Sequence, residues 1–216
     1  MDLSGIRAIA FDFDGVIVDS MPVHSHCWRE ALAAVLGADA DPVGDRIRRN
    51  LFDGHAGHGM FAGITVSSEA RQALRRHKDA LWAARAAGVP LMPFGAETLT
   101  ALAARLPLAV ATTARRDFVD AILSRETLSH AFSAIVTNAD VFRPKPAPDM
   151  LERISRNLGI PAPEIAMVGD TVTDRRMAEA AGSPFLWFGT DTLARYAGSE
   201  GHAAAADWPA IARVFS

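Results

Sequence analysis

The chain has 216 residues, half of them hydrophobic and 22% charged, a balance that speaks for a folded protein and against disorder. Its length accommodates one full domain and a smaller insert. A net charge of −3 and a pI near 6.1 give no electrostatic footprint for nucleic acid or an anionic membrane, and the single cysteine, Cys27, reads as a small buried apolar residue. The N-terminus lacks a signal-peptide pattern and no apolar run reaches membrane-spanning length, so a cytoplasmic location is expected.

Strand-like apolar runs occur at 6–13, 106–111, 134–137, 165–169 and 184–188, separated in the second half by amphipathic stretches of helical length. This alternation predicts an α/β fold with a Rossmann-like parallel sheet and crossover helices. Leu99, Leu102, Ala103 and Leu106 recur at helical spacing, as do Met150, Leu151, Ile154 and Leu158 ahead of Gly159, a C-cap signal. From Met21 to Gly88 the periodicity is helical without a convincing strand. Trp28, Ala31, Leu32, Val35 and Leu36 make one apolar stripe, and Ala70, Ala73, Leu74, His77, Leu81 and Ala84 make another. The expected division is a core of 1–20 and 89–216 with a helical cap of 21–88, whose paired linkers permit opening and closing.

Four segments fall just past the expected strand ends, where open α/β sheets place their sites. The first is Asp12-Phe13-Asp14-Gly15: two carboxylates with room to share a face, beside a glycine that permits a sharp turn. Taken alone it reads equally as a solvated turn. The second is Thr112-Thr113, the third Arg143-Pro144-Lys145-Pro146, and the fourth Gly169-Asp170-Thr171-Val172-Thr173-Asp174. Singly, Thr112 reads as a strand-end cap, Lys145 as a surface charge and Asp170 as a helix cap. Together and in order they supply a nucleophile, a hydroxyl, a cation and metal ligands.

These four segments, with a helical insert between the first and second, resemble the haloacid dehalogenase-like superfamily of phosphotransferases over nearly the whole chain. The resemblance implies Asp12 as nucleophile and Asp14 as general acid/base, with Thr112 and Lys145 binding phosphoryl oxygens. It implies Mg²⁺ held by Asp12, the Asp14 carbonyl and Asp170. Hard oxygen ligands suit magnesium, and a carboxylate nucleophile gives an aspartyl phosphate. Asp174 completes the outer shell of the metal or pairs with Lys145. Asp14 disfavours a dehalogenase, which lacks an Asp there, and the absence of lysine from 21–36 disfavours phosphonoacetaldehyde cleavage.

The continuation His24-x-x-x-Trp28 is similar to the sugar-phosphate phosphatase and β-phosphoglucomutase-like branch. His24 either helps to align Asp14 or caps the first helix of the insert. Gly169-Asp170 is similar to the phosphoglycolate phosphatases, where the mutases carry Glu-Asp, and this favours hydrolysis. Gly15 and Thr113 are expected to line the substrate. Arg46, Arg48 and Arg49 are candidates to grip it from the cap, and Arg115 or Arg116 to meet its carboxylate or phosphate, unless one of that pair serves as a helix cap. His55 and His58 lack a third ligand and read as surface loop. The expectation is a Mg²⁺-dependent phosphatase for a sugar phosphate or phosphoglycolate-like metabolite, monomeric or dimeric, with no nucleic-acid or membrane partner. A β-phosphoglucomutase-like transferase and a catalytically silent phospho-ligand binding protein are the alternatives.

Overall fold

The five apolar runs, joined by the unforeseen strand Ala203–Ala205, assemble into one six-stranded sheet of β1 (Ala8–Phe11), β2 (Leu108–Thr112), β3 (Phe132–Thr137), β4 (Ile165–Gly169), β5 (Phe185–Phe188) and β6 (Ala203–Ala205), in the order β3-β2-β1-β4-β5-β6. Every neighbouring pair is parallel. The computed structural model describes residues 5–37, 40–52, 60–189 and 203–216. From β1 the chain builds outward through β2 and β3, then returns to place β4, β5 and β6 on the other side. The order therefore reverses between β1 and β4, the position at which such sheets open a crevice beyond their carboxyl ends.

The chain forms two compact units, one of Met1–Asp19 with Pro90–Ser216 and the other of Ser20–Val89. In the first, β1 alternates small and large residues. Ala8 and Ala10 join Ala109, Ala111, Met150, Leu151, Ile154 and Met177 in one core, so the alanines bring α6 (Asp149–Leu158) and α7 (Val172–Ala181) close to the sheet. Phe11 instead meets the indole of Trp208, with ring centroids 5.3 Å apart, on α8 (Trp208–Val214). The expected Gly159 C-cap is present, in the left-handed region at φ 66° that glycine adopts without strain. Among its described residues this unit also carries the α-helices α4 (Gly95–Ala103) and α5 (Arg116–Arg125). Its two ends toward Ser20–Val89 are stitched together: Asp19 N–H donates to Pro90 C=O at 2.9 Å and Met92 N–H to Ile17 C=O at 2.8 Å.

The described residues of the second unit include the α-helices α1 (Met21–Leu36), α2 (Ala40–Phe52) and α3 (Ser68–Arg85). Trp28, Ala31 and Leu32 of α1, Ile47 of α2, and Phe61, Ile64 and Leu74 form its core, with Val35, Leu36 and Leu81 packed around it. The α1 stripe is as the periodicity predicts. The α3 stripe is rotated: His77 and Ala84 are exposed, while Lys78 lies over the Trp82 ring at 5.3 Å and Arg85 reaches both carboxylate oxygens of Glu30 at 3.0 Å. Long basic side chains cover apolar surface with their methylene stems and keep the charge outside, which simple hydrophobic periodicity overlooks.

Candidate active site

Asp12 follows the last residue of β1, and its N–H extends the ladder to Val168 C=O on β4 at 2.9 Å. Its Oδ1 accepts from Phe13 N–H at 2.7 Å and lies 2.9 Å from Lys145 Nζ. Lys145 is buried, and its ammonium also donates to Asp174 Oδ1 at 2.5 Å. Asp174 is held in turn by the start of α7. Thr171 N–H and Oγ1–H donate to Asp174 Oδ2 at 3.0 and 2.5 Å, and Asp174 N–H donates back to Thr171 Oγ1, a reciprocal cap that fixes the carboxylate. The signal for this cap is spelled in Thr171-Val172-Thr173-Asp174.

Carboxylate oxygens of Asp12, Asp170 and Asp174 all lie within 4.8 Å of one another. Burial, then the Asp174 carboxylate, pushes Asp12 up to about 7, against the opposing pull of Lys145. Asp170 is raised well above the carboxylate range by burial and then by Asp12 and Asp174. Burial alone would lower the Lys145 ammonium, but the Asp12 and Asp174 carboxylates outweigh it and hold the group above the ordinary lysine value. Three carboxylates against one ammonium leave a deficit of positive charge in a desolvated site, and an all-oxygen donor set suits a hard divalent ion such as Mg²⁺. The residues fit that group. Gly15 completes the enclosure: its φ is +78°, and a Cβ there would collide with Asp170 Oδ2.

Asp14 is partly buried in the turn that follows β1, bridged to Val18. Thr112, 1% exposed at the end of β2, accepts from Ala114 N–H through Oγ1 at 3.0 Å, which fixes the hydroxyl oxygen. Thr113 and Arg115 are exposed and line a cavity of about 440 Å³ with Thr137 and Asn138. The Arg115 guanidinium there is gripped by both Asp117 oxygens, and Arg116 by Asp120. In the Ser20–Val89 unit, the His24 ring lies flat on Trp82, 3.8 Å between centroids and 4° from parallel, and Arg49 is exposed in the last turn of α2. His55, His58 and the Arg48 side chain lie outside the described residues. Asp12, Lys145, Asp170 and Asp174 are thus assembled from three distant stretches of sequence at the β1/β4 crevice.

A family model of haloacid dehalogenase-like hydrolases matches residues 6–182. The chain belongs to that family. It is similar to the phosphoglycolate phosphatase of Pectobacterium atrosepticum, 31% identical over 84% of this chain and 79% of that one. The phosphoglycolate phosphatase of Escherichia coli K12 is also 31% identical, over 83% and 79%. Among solved structures, a subfamily IA hydrolase of the same superfamily from Geobacter sulfurreducens superposes with a TM-score of 0.73 at 24% identity, covering 98% of this chain and 97% of that chain. A haloacid dehalogenase-like protein from Streptococcus pneumoniae does so at 0.78 and 20%, over 99% and 100%. Both share the Rossmann-like fold of this hydrolase. Among its described residues, no helix is long and apolar enough to cross a membrane.

Proposed function

We propose that this hydrolase is a Mg²⁺-dependent phosphatase that cleaves a small phosphorylated metabolite, a sugar phosphate or phosphoglycolate-like ester, through an aspartyl phosphate on Asp12. The observation that carries the reading is the buried Lys145 ammonium bridging Asp12 and Asp174 beside Asp170 at the strand-order reversal. Likeness to two phosphoglycolate phosphatases supports a phosphomonoester as substrate.

Phe13 N–H and Lys145 engage Asp12 Oδ1, which leaves Oδ2 to attack phosphorus. As the Oδ2–P bond forms and the bond to the leaving oxygen breaks, Asp14 gives that oxygen its proton. Asp14, now a carboxylate, takes a proton from water as the water attacks the aspartyl phosphate, releasing phosphate and restoring both groups. Lys145 and the fixed Thr112 hydroxyl stabilise charge on the transferring oxygens. Asp12, Asp170 and the Asp14 carbonyl, with Asp174 outside them, would hold Mg²⁺, which would supply Lewis-acid neutralisation of the same charge. Asp14, Gly15, Thr113 and Arg115 border the substrate in this reading, and His24 and Arg49 are further candidates to bind it.

The test is phosphate release from phosphoglycolate, sugar phosphates and nucleotides, with Mg²⁺ and with chelator. Release that requires Mg²⁺, a phosphorylated Asp12 in acid-quenched turnover, and silence of Asp12→Asn are expected. Undiminished hydrolysis by Asp12→Asn overturns the mechanism.

A further inference from the structure

The turn that carries Asp14 closes largely on itself. Ile17 and Val18 N–H donate to Phe13 C=O at 2.9 and 3.0 Å, and Gly15 N–H donates to Val18 C=O at 2.9 Å. The Val16 carbonyl is satisfied from far away in sequence: Trp208 Nε1–H, on α8, donates to it at 3.0 Å. Both residues are buried, Val16 at 0% and Trp208 at 1% exposure, so no bulk water stands ready to replace that donor.

The indole is itself held on three sides. Phe11 of β1 packs at 5.3 Å, Phe188 of β5 at 5.6 Å, and Gly95 at the start of α4 leaves it room, since a Cβ there would come within 3.2 Å of Nε1. The N-terminus of α8 is capped by Asp207, whose carboxylate accepts from Ala210 N–H at 2.8 Å. Phe11 is also the residue immediately before Asp12. One ring therefore touches the strand that delivers Asp12 and binds the loop that delivers Asp14.

We infer that Trp208 is a positioning residue for the reaction, whose indole N–H pins the Val16 carbonyl and thereby sets where Asp14 stands when it gives its proton to the leaving oxygen. The inference rests on the acid/base role proposed for Asp14. Trp208→Phe keeps a ring against Phe11 and Phe188 and deletes the donor. An alkyl phosphate needs the proton, whereas p-nitrophenyl phosphate loses a stable phenolate without it. With positioned general acids worth about 10²–10⁴-fold, Trp208→Phe is expected to lower kcat/KM about 10- to 100-fold on the best alkyl phosphate. On the aryl ester it is expected to change less than about threefold.

Hydrogen–deuterium exchange over residues 13–18 should also speed up in Trp208→Phe, a readout independent of turnover. Phe188→Leu, which loosens the packing but keeps the N–H, should affect both esters alike. Gly95→Ala, which crowds Nε1 without deleting it, should repeat the Trp208→Phe pattern more weakly, and it carries the test if Trp208→Phe does not fold. Equal losses on both esters, or unchanged exchange over 13–18, overturn the inference while wild-type turnover leaves the proposed function standing. Wild-type protein that releases phosphate from neither ester brings down that function instead.

Discussion

Asp12→Asn is expected to raise the thermal stability of the metal-free protein while abolishing turnover. Ionised Asp12 is disfavoured only in the folded state, where burial and the Asp174 carboxylate move it from 3.8 to about 7. At about 1.4 kcal/mol per pKa unit, the ionised group costs the fold about 4 kcal/mol once the pH passes both values. Asparagine removes the charge but brings an amide NH₂ that must find an acceptor, at a cost of about 1–3 kcal/mol. The net gain is about 2 kcal/mol, or about 4–8 °C for a chain of this size. The sign follows from the raised value: the penalty is absent below the unfolded pKa, grows as pH rises from about 4, and is complete above about 7. Melting curves of both proteins in chelator should therefore separate at about pH 8 and converge towards pH 5.5. An asparagine variant that melts no higher than wild type at pH 8, or a gain that does not shrink on acidification, refutes the electrostatic account.

Lys145→Met leaves Asp174 buried beside Asp12 and Asp170 without its cation and should cost about 3–5 kcal/mol, read as a drop in the urea midpoint, with loss of turnover. Mg²⁺ competes with protons for Asp12 and Asp170, so the rise in melting temperature on adding Mg²⁺ should be larger at about pH 8 than at pH 6, and a pH-independent rise counts against their ligand roles. Gly169→Ala would place a Cβ 2.5 Å from Asp174 Cβ, so about 1–3 kcal/mol of stability should be lost along with Mg²⁺ affinity, measured by titration calorimetry. Thr112→Val, which deletes the oxygen held by Ala114 N–H, should lower kcat/KM about 10²-fold in the phosphatase assay.

The doubly flanked parallel sheet was legible because strands buried on both faces are written as continuous apolar runs; 165–169 coincides with β4. β6 was not, since Ala203–Ala205 is three residues of poor strand formers placed by pairing with β5. The expected first strand, 6–13, overshoots β1 at both ends because Ile6 and Phe13 prolong the apolar pattern beyond the paired residues Ala8–Phe11. At the site, the order of motifs was readable and the Lys145–Asp174 pair stood as one of two expectations for Asp174, whereas the contact of the same ammonium with Asp12 joins positions with no local signature. Trp208 was invisible for the same reason: its partner Val16 is an ordinary apolar residue, and the bond runs to a backbone carbonyl.

The stitch of Asp19 to Pro90 has a bearing on chain entropy. With the ends of Ser20–Val89 held at a fixed span by the core's own hydrogen bonds, lengthening the intervening chain is penalised only logarithmically, about 0.6 kcal/mol per doubling. The core can therefore tolerate segments of quite different size between those two residues. The same gap raises the sequence separation of native contacts, because β1 pairs with β2 across it, and such non-local pairing slows folding.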